Sequence, residues 1–209
     1  MEGPTSPKRS ARTSAPRLCG PEVDEPAPLV DPRRWGSLIG LIGGLVFVAS
    51  YSSVLGVAVS MVAWVVGVAL VLSALFAHYV RPVSLGPLTR PRPLALVTYG
   101  ACIVGELALI ALGSRALTAV GRADLRPGLI AAVVGLHFIP FAWAFGERMF
   151  FWFGGLLLVL GAVGLVAGAM GVPHAAEALA VVAGLAMLVI TTLYAMGRFV
   201  PRLSTGPTI

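Results

Sequence analysis

Between residues 36 and 197 the chain is a succession of apolar runs, each about 20 residues long and separated by short polar punctuation. A run of about 20 apolar residues matches the roughly 30 Å hydrocarbon core of a bilayer. Six such runs stand at about 36–53, 55–79, 94–113, 127–146, 150–170 and 177–197. In hydrocarbon every backbone N–H and C=O must be bonded within the protein, which leaves helices or a closed barrel. Barrel strands alternate apolar and polar residues over segments of about ten, whereas these runs are continuous. The expectation is an all-α polytopic membrane protein, a bundle of six transmembrane helices. Charged residues are only 11% of the chain, against about 25% in a soluble domain.

Outside the runs the composition changes. Residues 1–34 hold seven prolines among Ser, Thr, Arg and acidic residues, with little to build a core. That stretch predicts a disordered cytoplasmic tail. The transmembrane domain is then 35–199, and 200–209 is a short cytoplasmic tail. Pro127 suits the first turn of the fourth helix, where its missing N–H costs nothing. Pro201 falls just past the last helix.

The basic residues decide orientation. Lys8, Arg9, Arg12, Arg17, Arg33 and Arg34 precede the first run. Arg81, Arg90, Arg92, Arg148, Arg198 and Arg202 fall in loops and tail on the same side, which totals twelve. The other side has Arg115, Arg122 and Arg126 alone. The positive-inside rule then places both termini in the cytoplasm of a cell membrane. The net charge of +6 is thus a topology signal, with some attraction to anionic lipid headgroups, and no nucleic-acid partner is implied. Arginine supplies 14 of the 15 positive charges, the usage of a GC-rich bacterial genome. An alternative reading of Arg33–Arg34 before an apolar run is a cleaved signal peptide, even a twin-arginine one. The pair stands far from the N-terminus for that, and nothing soluble follows that would need export. Cys19 in the tail and Cys102 inside a span lie in different compartments, so no disulfide joins them.

Small residues recur at four-residue spacing: Gly36, Gly40 and Gly44, then Ala63/Gly67, Ala101/Gly105, Gly164/Gly168 and Ala180/Gly184. Such faces let helix backbones approach closely. They suit packing within the bundle, with a homo-oligomer through the first or fifth span as the alternative. No repeat relates the two halves, which counts against a transporter built from duplicated units.

Ionisable groups inside a membrane need a partner or a purpose, since a central Asp costs at least ~2.5 kcal/mol on insertion scales. Two lie well inside a span: Glu106 in the third and His137 in the fourth. Counted at 1.5 Å per residue, they stand roughly 10 Å and 15 Å from the outer face. The two spans are antiparallel neighbours, so the groups can meet if their faces turn together. A buried structural contact and a proton or ligand site are both open to such a pair. Tyr99, Cys102 and Glu106, at spacings of three and four, share one face; Thr191 and Tyr194 form a smaller polar stripe. Pro140 removes a backbone bond to the carbonyl of Leu136, which predicts a kink beside His137. Trp143, Phe150, Phe151 and Trp152 fit an interfacial aromatic belt around the turn at 146–149. His78 and His174 fall near span ends and read as interfacial. Glu147 beside Arg148 reads as a solvated turn pair.

The segment GLHFIPFAWAFGERMFFWFGG, with Gly135, His137, Phe138 and Pro140 followed by Phe141 and Trp143, resembles the signature region of a bacterial multi-pass membrane family of unknown function. Members of that family carry G-x-H-F-x-P, then aromatics, a short polar turn and another aromatic-led span. The resemblance implies the six-span layout; it implies no activity, and it does not extend to Glu106.

No H-E-x-x-H, G-x-S-x-G or phosphate-loop pattern occurs, and no metal-ligand spacing. The expectation is a non-enzymatic structural or accessory membrane protein, with no cofactor and the lipid bilayer as its surroundings. The alternative is a small transporter or channel, proton-linked through Glu106 and His137; an intramembrane enzyme would need a third converging polar residue.

Overall fold

The computed structural model describes residues 29–83, 85, 93–145 and 148–199, all of it helix and connecting turn. Six long helices follow in order: α1 (Pro32–Tyr51), α2 (Val57–Leu75), α3 (Pro93–Ala119), α4 (Arg126–Phe145), α5 (Arg148–Ala169) and α6 (Ala175–Ala195). A wider, π-helical turn over Phe76–Val80 continues α2. Short 3₁₀ turns at Ser52–Leu55 and Ala123–Leu125 join α1 to α2 and α3 to α4. All six helices are long and apolar enough to cross a bilayer. The outside carries Ile39, Val65 and Val104, each at least 65% exposed, a surface suited to hydrocarbon rather than water. This is a multi-pass membrane protein.

Two boundaries differ from the expectation. The first helix begins at Pro32, with Asp31 as its N-cap, so residues 31–34 belong to the bundle and not to the tail. A carboxylate cap and a proline at the first helical position together make a strong helix start, which hydropathy alone does not register. α3 runs on to Ala119, six residues past the expected end at 113. The stretch Ser114–Ala119 is mildly polar yet contains no breaker before Gly121. There the helix closes with Gly121 in the left-handed region (φ 71), Gly121 N–H bonding Thr118 O and Arg122 N–H bonding Leu117 O. α5 ends the same way around Gly171 (φ 86), with Val172 N–H on Ala167 O. Only glycine adopts that conformation without a Cβ penalty. The tails at 1–28 and 200–209, with Cys19, and the turn at 146–147, with Glu147, lie outside the described residues.

The helices run alternately up and down, which leaves α1 beginning and α6 ending at one end of the bundle, the near end. α6 is the centre. Ala180, Ala183, Gly184, Met187, Leu188 and Thr191 are all buried on it, and it packs on α1, α5, α2 and α4. α2 closes the bundle beside α1 and α6. At the opposite edge α3 leans on α4, and none of its central apolar window is buried.

Small residues set the closest approaches. A methyl group built on Gly44 would stand 2.8 Å from Gly184 O, and one on Gly184 2.7 Å from Gly44 O. The Gly40/Gly44 face of α1 is therefore consumed against α6, as are Gly164 and Gly168 against Ala176 and Leu125. Gly36 and Gly105 meet nothing within 4 Å. The tightest seam escaped the four-residue pattern. Gly128 and Gly135 on α4 meet Gly154 and Gly161 on α5 backbone to backbone. On each helix these glycines are seven apart, and a seven-residue step returns to the same face after two turns.

Candidate functional site

α3 and α4 bring Glu106 and His137 together. Nδ1 of His137 lies 3.1 Å from Oε2 of Glu106. His137 is nine-tenths buried and Glu106 about four-fifths. Because α3 extends to Ala119, Glu106 is thirteen residues from the far end of its helix and His137 fourteen from Ala123. At 1.5 Å per residue both stand about 20 Å from that end, level with each other and deeper than the expected positions. The contact is within ion-pair range, yet Nδ1 has no hydrogen-bond partner of acceptable geometry. Distance and direction therefore disagree. Hydrogen bonds weaken steeply as they bend, so this contact is easier to open than an aligned hydrogen bond.

Aromatic rings enclose the pair from the α4 side. The His137 ring sits 4.4 Å from that of Phe141 and 5.2 Å from that of Phe138, centroid to centroid. Tyr99 of α3 stacks on Phe141 at 5.3 Å with 25° between planes. Phe138 continues inward to Phe150 and Phe153 of α5. The polar stripe on α3 is thus only partly a unit. Glu106 and Tyr99 reach α4 at two levels, and Cys102 between them is a half-buried free thiol. Pro140 lies inside α4, which stays helical from Arg126 to Phe145.

The aromatic belt needs one correction. Trp143 (78% exposed) and Trp152 (70%) face outward near the chain ends of the bundle, where amphipathic rings suit a membrane interface. Phe150 instead turns inward, stacking on Phe138 with 12° between planes. Sequence position near a turn does not reveal which side of the helix a ring takes.

A second polar cluster was read wrongly from sequence. His78 is not interfacial: it is fully buried, together with Asp31, Arg34 and Ser37. Here the start of α1 grips the π-helical end of α2. Ser37 Oγ is 2.7 Å from His78 Nε2. Arg34 donates to His78 O at 2.5 Å and to Val83 O at 3.1 Å, and its Nη1 lies 3.4 Å from His78 Nδ1. Its Nε makes no hydrogen bond and stands 3.9 Å from Asp31 Oδ2. Arg33 holds both Asp31 oxygens at 2.9 to 3.2 Å and donates to Leu85 O. The arginine pair is therefore an intramolecular clamp on one carbonyl of the last turn of α2, His78 O, and on two of the chain that follows it, Val83 O and Leu85 O. A signal-peptide reading of Arg33–Arg34 does not fit this burial. The only hint in sequence was a hydrogen-bonding residue at Asp31 just before Pro32.

On α6, Thr191 and Tyr194 are buried as a polar stripe within the bundle. Their neighbour Thr192 bridges two helices, donating to Leu188 O at 2.7 Å and to Leu70 O of α2 at 3.1 Å. At the far end His174 is exposed at the α6 start, beside an open hollow of about 280 Å³ that Arg122, Asp124 and Glu177 also line. Among the described residues no three His, Cys, Asp or Glu side chains converge as metal ligands.

Protein-family models, curated proteins and solved structures were all compared with the chain, and none matches.

Proposed function

We propose that this chain is a non-enzymatic protein of a bacterial cytoplasmic membrane, with both termini in the cytoplasm and a structural or accessory role. In this reading the Glu106–His137 contact fixes the peripheral helix α3 to the bundle. One observation carries it: the pair sits in the α3–α4 seam, through which α3 makes most of its contacts.

His137→Ala should then lower the stability of the purified protein by about 1–2 kcal/mol, the cost of leaving a buried polar partner unmatched. Thermal unfolding in detergent measures it. Glu106→Gln should lose less, because the amide keeps a polar contact to the ring. An unchanged melting temperature in both variants would remove the structural role.

The same contact favours a second reading, a small proton-linked transporter or channel, since two titratable groups at one depth can exchange a proton. That reading predicts a different result. Glu106→Gln would stay folded and abundant, yet abolish a pH-dependent flux in proteoliposomes.

The orientation rests on the twelve-to-three distribution of basic residues. Reporter fusions at residues 86–90 should report the cytoplasm and fusions at 120–122 the opposite side; the reverse pattern would overturn the assignment.

A further inference from the structure

We propose that the buried corner formed by Asp31, Arg34, Ser37 and His78 is a proton-sensitive latch, which holds the end of α2 to the start of α1 only while His78 is neutral. A guanidinium has five N–H donors and no acceptor. With Arg34 Nη1 3.4 Å from Nδ1, the ring can meet it only with a lone pair. The ring proton then sits on Nε2 and is donated to Ser37 Oγ at 2.7 Å. A second proton on the imidazole has to go to Nδ1, where it sets N–H against N–H.

Charge count adds to the geometry. Among the described residues Asp31 is the one carboxylate in the corner, and it already serves two guanidiniums, Arg33 at 2.9 Å and Arg34 at 3.9 Å. It also caps α1 through Arg33 N–H. A histidinium would make three cations to one anion in a place closed to water. The groups facing His78 from α1 are Asp31, Arg34 and Ser37. From its own segment Tyr79 approaches edge-on at 6.1 Å. α6 covers the neighbouring Ala77 with the apolar Leu188 and Ala195, and its one charged residue, Glu177, lies at the far end of the bundle. Among the described residues of these elements, no acidic group besides the already engaged Asp31 faces the ring.

What the latch controls is equally local. Arg34 and Arg33 hold the carbonyls of His78, Val83 and Leu85, so release frees the chain leaving α2 toward α3. A π-helical turn is a rare form of helix, frequent at functional sites; here it brings His78 O and the imidazole to the same guanidinium. The latch is separate from the Glu106–His137 seam and does not depend on its role.

Hydrogen–deuterium exchange on the full chain in lipid nanodiscs tests this, corrected for the intrinsic effect of pH on exchange. Between about pH 7.5 and about pH 4, the range over which a buried imidazole takes up its proton, peptides over 31–38 and 76–83 should lose protection about tenfold more than peptides of α4 and α5. His78→Gln supplies an oxygen to Arg34 and an N–H to Ser37 without a titratable proton, and should abolish that response. His137→Gln should leave it in place. An equal response in wild type and His78→Gln, or no response in wild type, overturns the latch. Should His78→Gln not fold, ¹⁵N-histidine spectra of the unaltered chain decide. One imidazole should leave the Nε2–H tautomer for the imidazolium over the same pH interval in which protection is lost. Protection lost with no imidazole changing in step, or an imidazolium formed there with protection intact, rejects it.

Discussion

Arg34→Ala is expected to destabilise the protein by about 2–3 kcal/mol, the cost of leaving a buried carbonyl without its charged donor. Arg34 is only 3% exposed. Its removal leaves Asp31 with one counter-charge and strips the partners from His78 O and Val83 O. His78 O lies in the last turn of α2, where the helix has no further N–H groups to offer, so no local rearrangement within the helix replaces its partner. Arg34→Lys should recover little, because a single ammonium cannot span two carbonyls and the imidazole as a planar fork does. Arg81 is the control. It is exposed, with its guanidinium over the Phe76 ring at 5.9 Å, a contact worth about 0.5–1 kcal/mol. Thermal unfolding of the three variants in one detergent gives the comparison. Equal melting temperatures for Arg34→Ala and Arg81→Ala would show that the corner is not a clamp.

The second large effect belongs to the α4–α5 seam. Gly135→Ala places a methyl 2.7 Å from Gly154 O and 2.8 Å from the Leu158 Cα. Those are backbone atoms, and no rotamer change moves them aside. The two helices must separate along the seam, at a cost of about 1–3 kcal/mol for overpacking and more if the separation spreads. That loss opposes the ~1 kcal/mol by which alanine is the better helix former. Gly105→Ala meets nothing within 4 Å and should be neutral or slightly stabilising. The pair of variants separates packing from propensity: both replace a mid-helix glycine by alanine, and only one has a helix against it. A Gly135→Ala protein as stable as Gly105→Ala would mean that α4 and α5 do not approach this closely.

Much of the architecture is legible without a structure, because membrane insertion acts on properties that are local in sequence. A run's length and apolarity suffice to make it a spanning helix, and α1, α2, α4, α5 and α6 all lie close to their expected ranges. The helix ends were less legible where a cap rather than hydropathy decides, at Asp31 and at Gly121. Glu106 and His137 were visible as exceptions to an apolar rule, and their similar depth followed from counting residues.

Which faces meet was decided by tertiary structure alone. Contact between Glu106 and His137 requires α3 and α4 to be rotated toward each other, and rotation about a helix axis leaves no trace in hydropathy. The same holds for Phe150, which turns inward while Trp152 turns out. His78 shows the limit most sharply. By position it is a residue near the end of a span, where water or headgroups would solvate it. It is buried because α1 begins with a carboxylate and two arginines that close over the end of α2, more than forty residues away in sequence. The apolar runs determined that this chain spans a membrane six times, since the bilayer reads one helix at a time. The pairing of its few polar groups was decided by packing, since each such group is stable only against a partner carried by another helix.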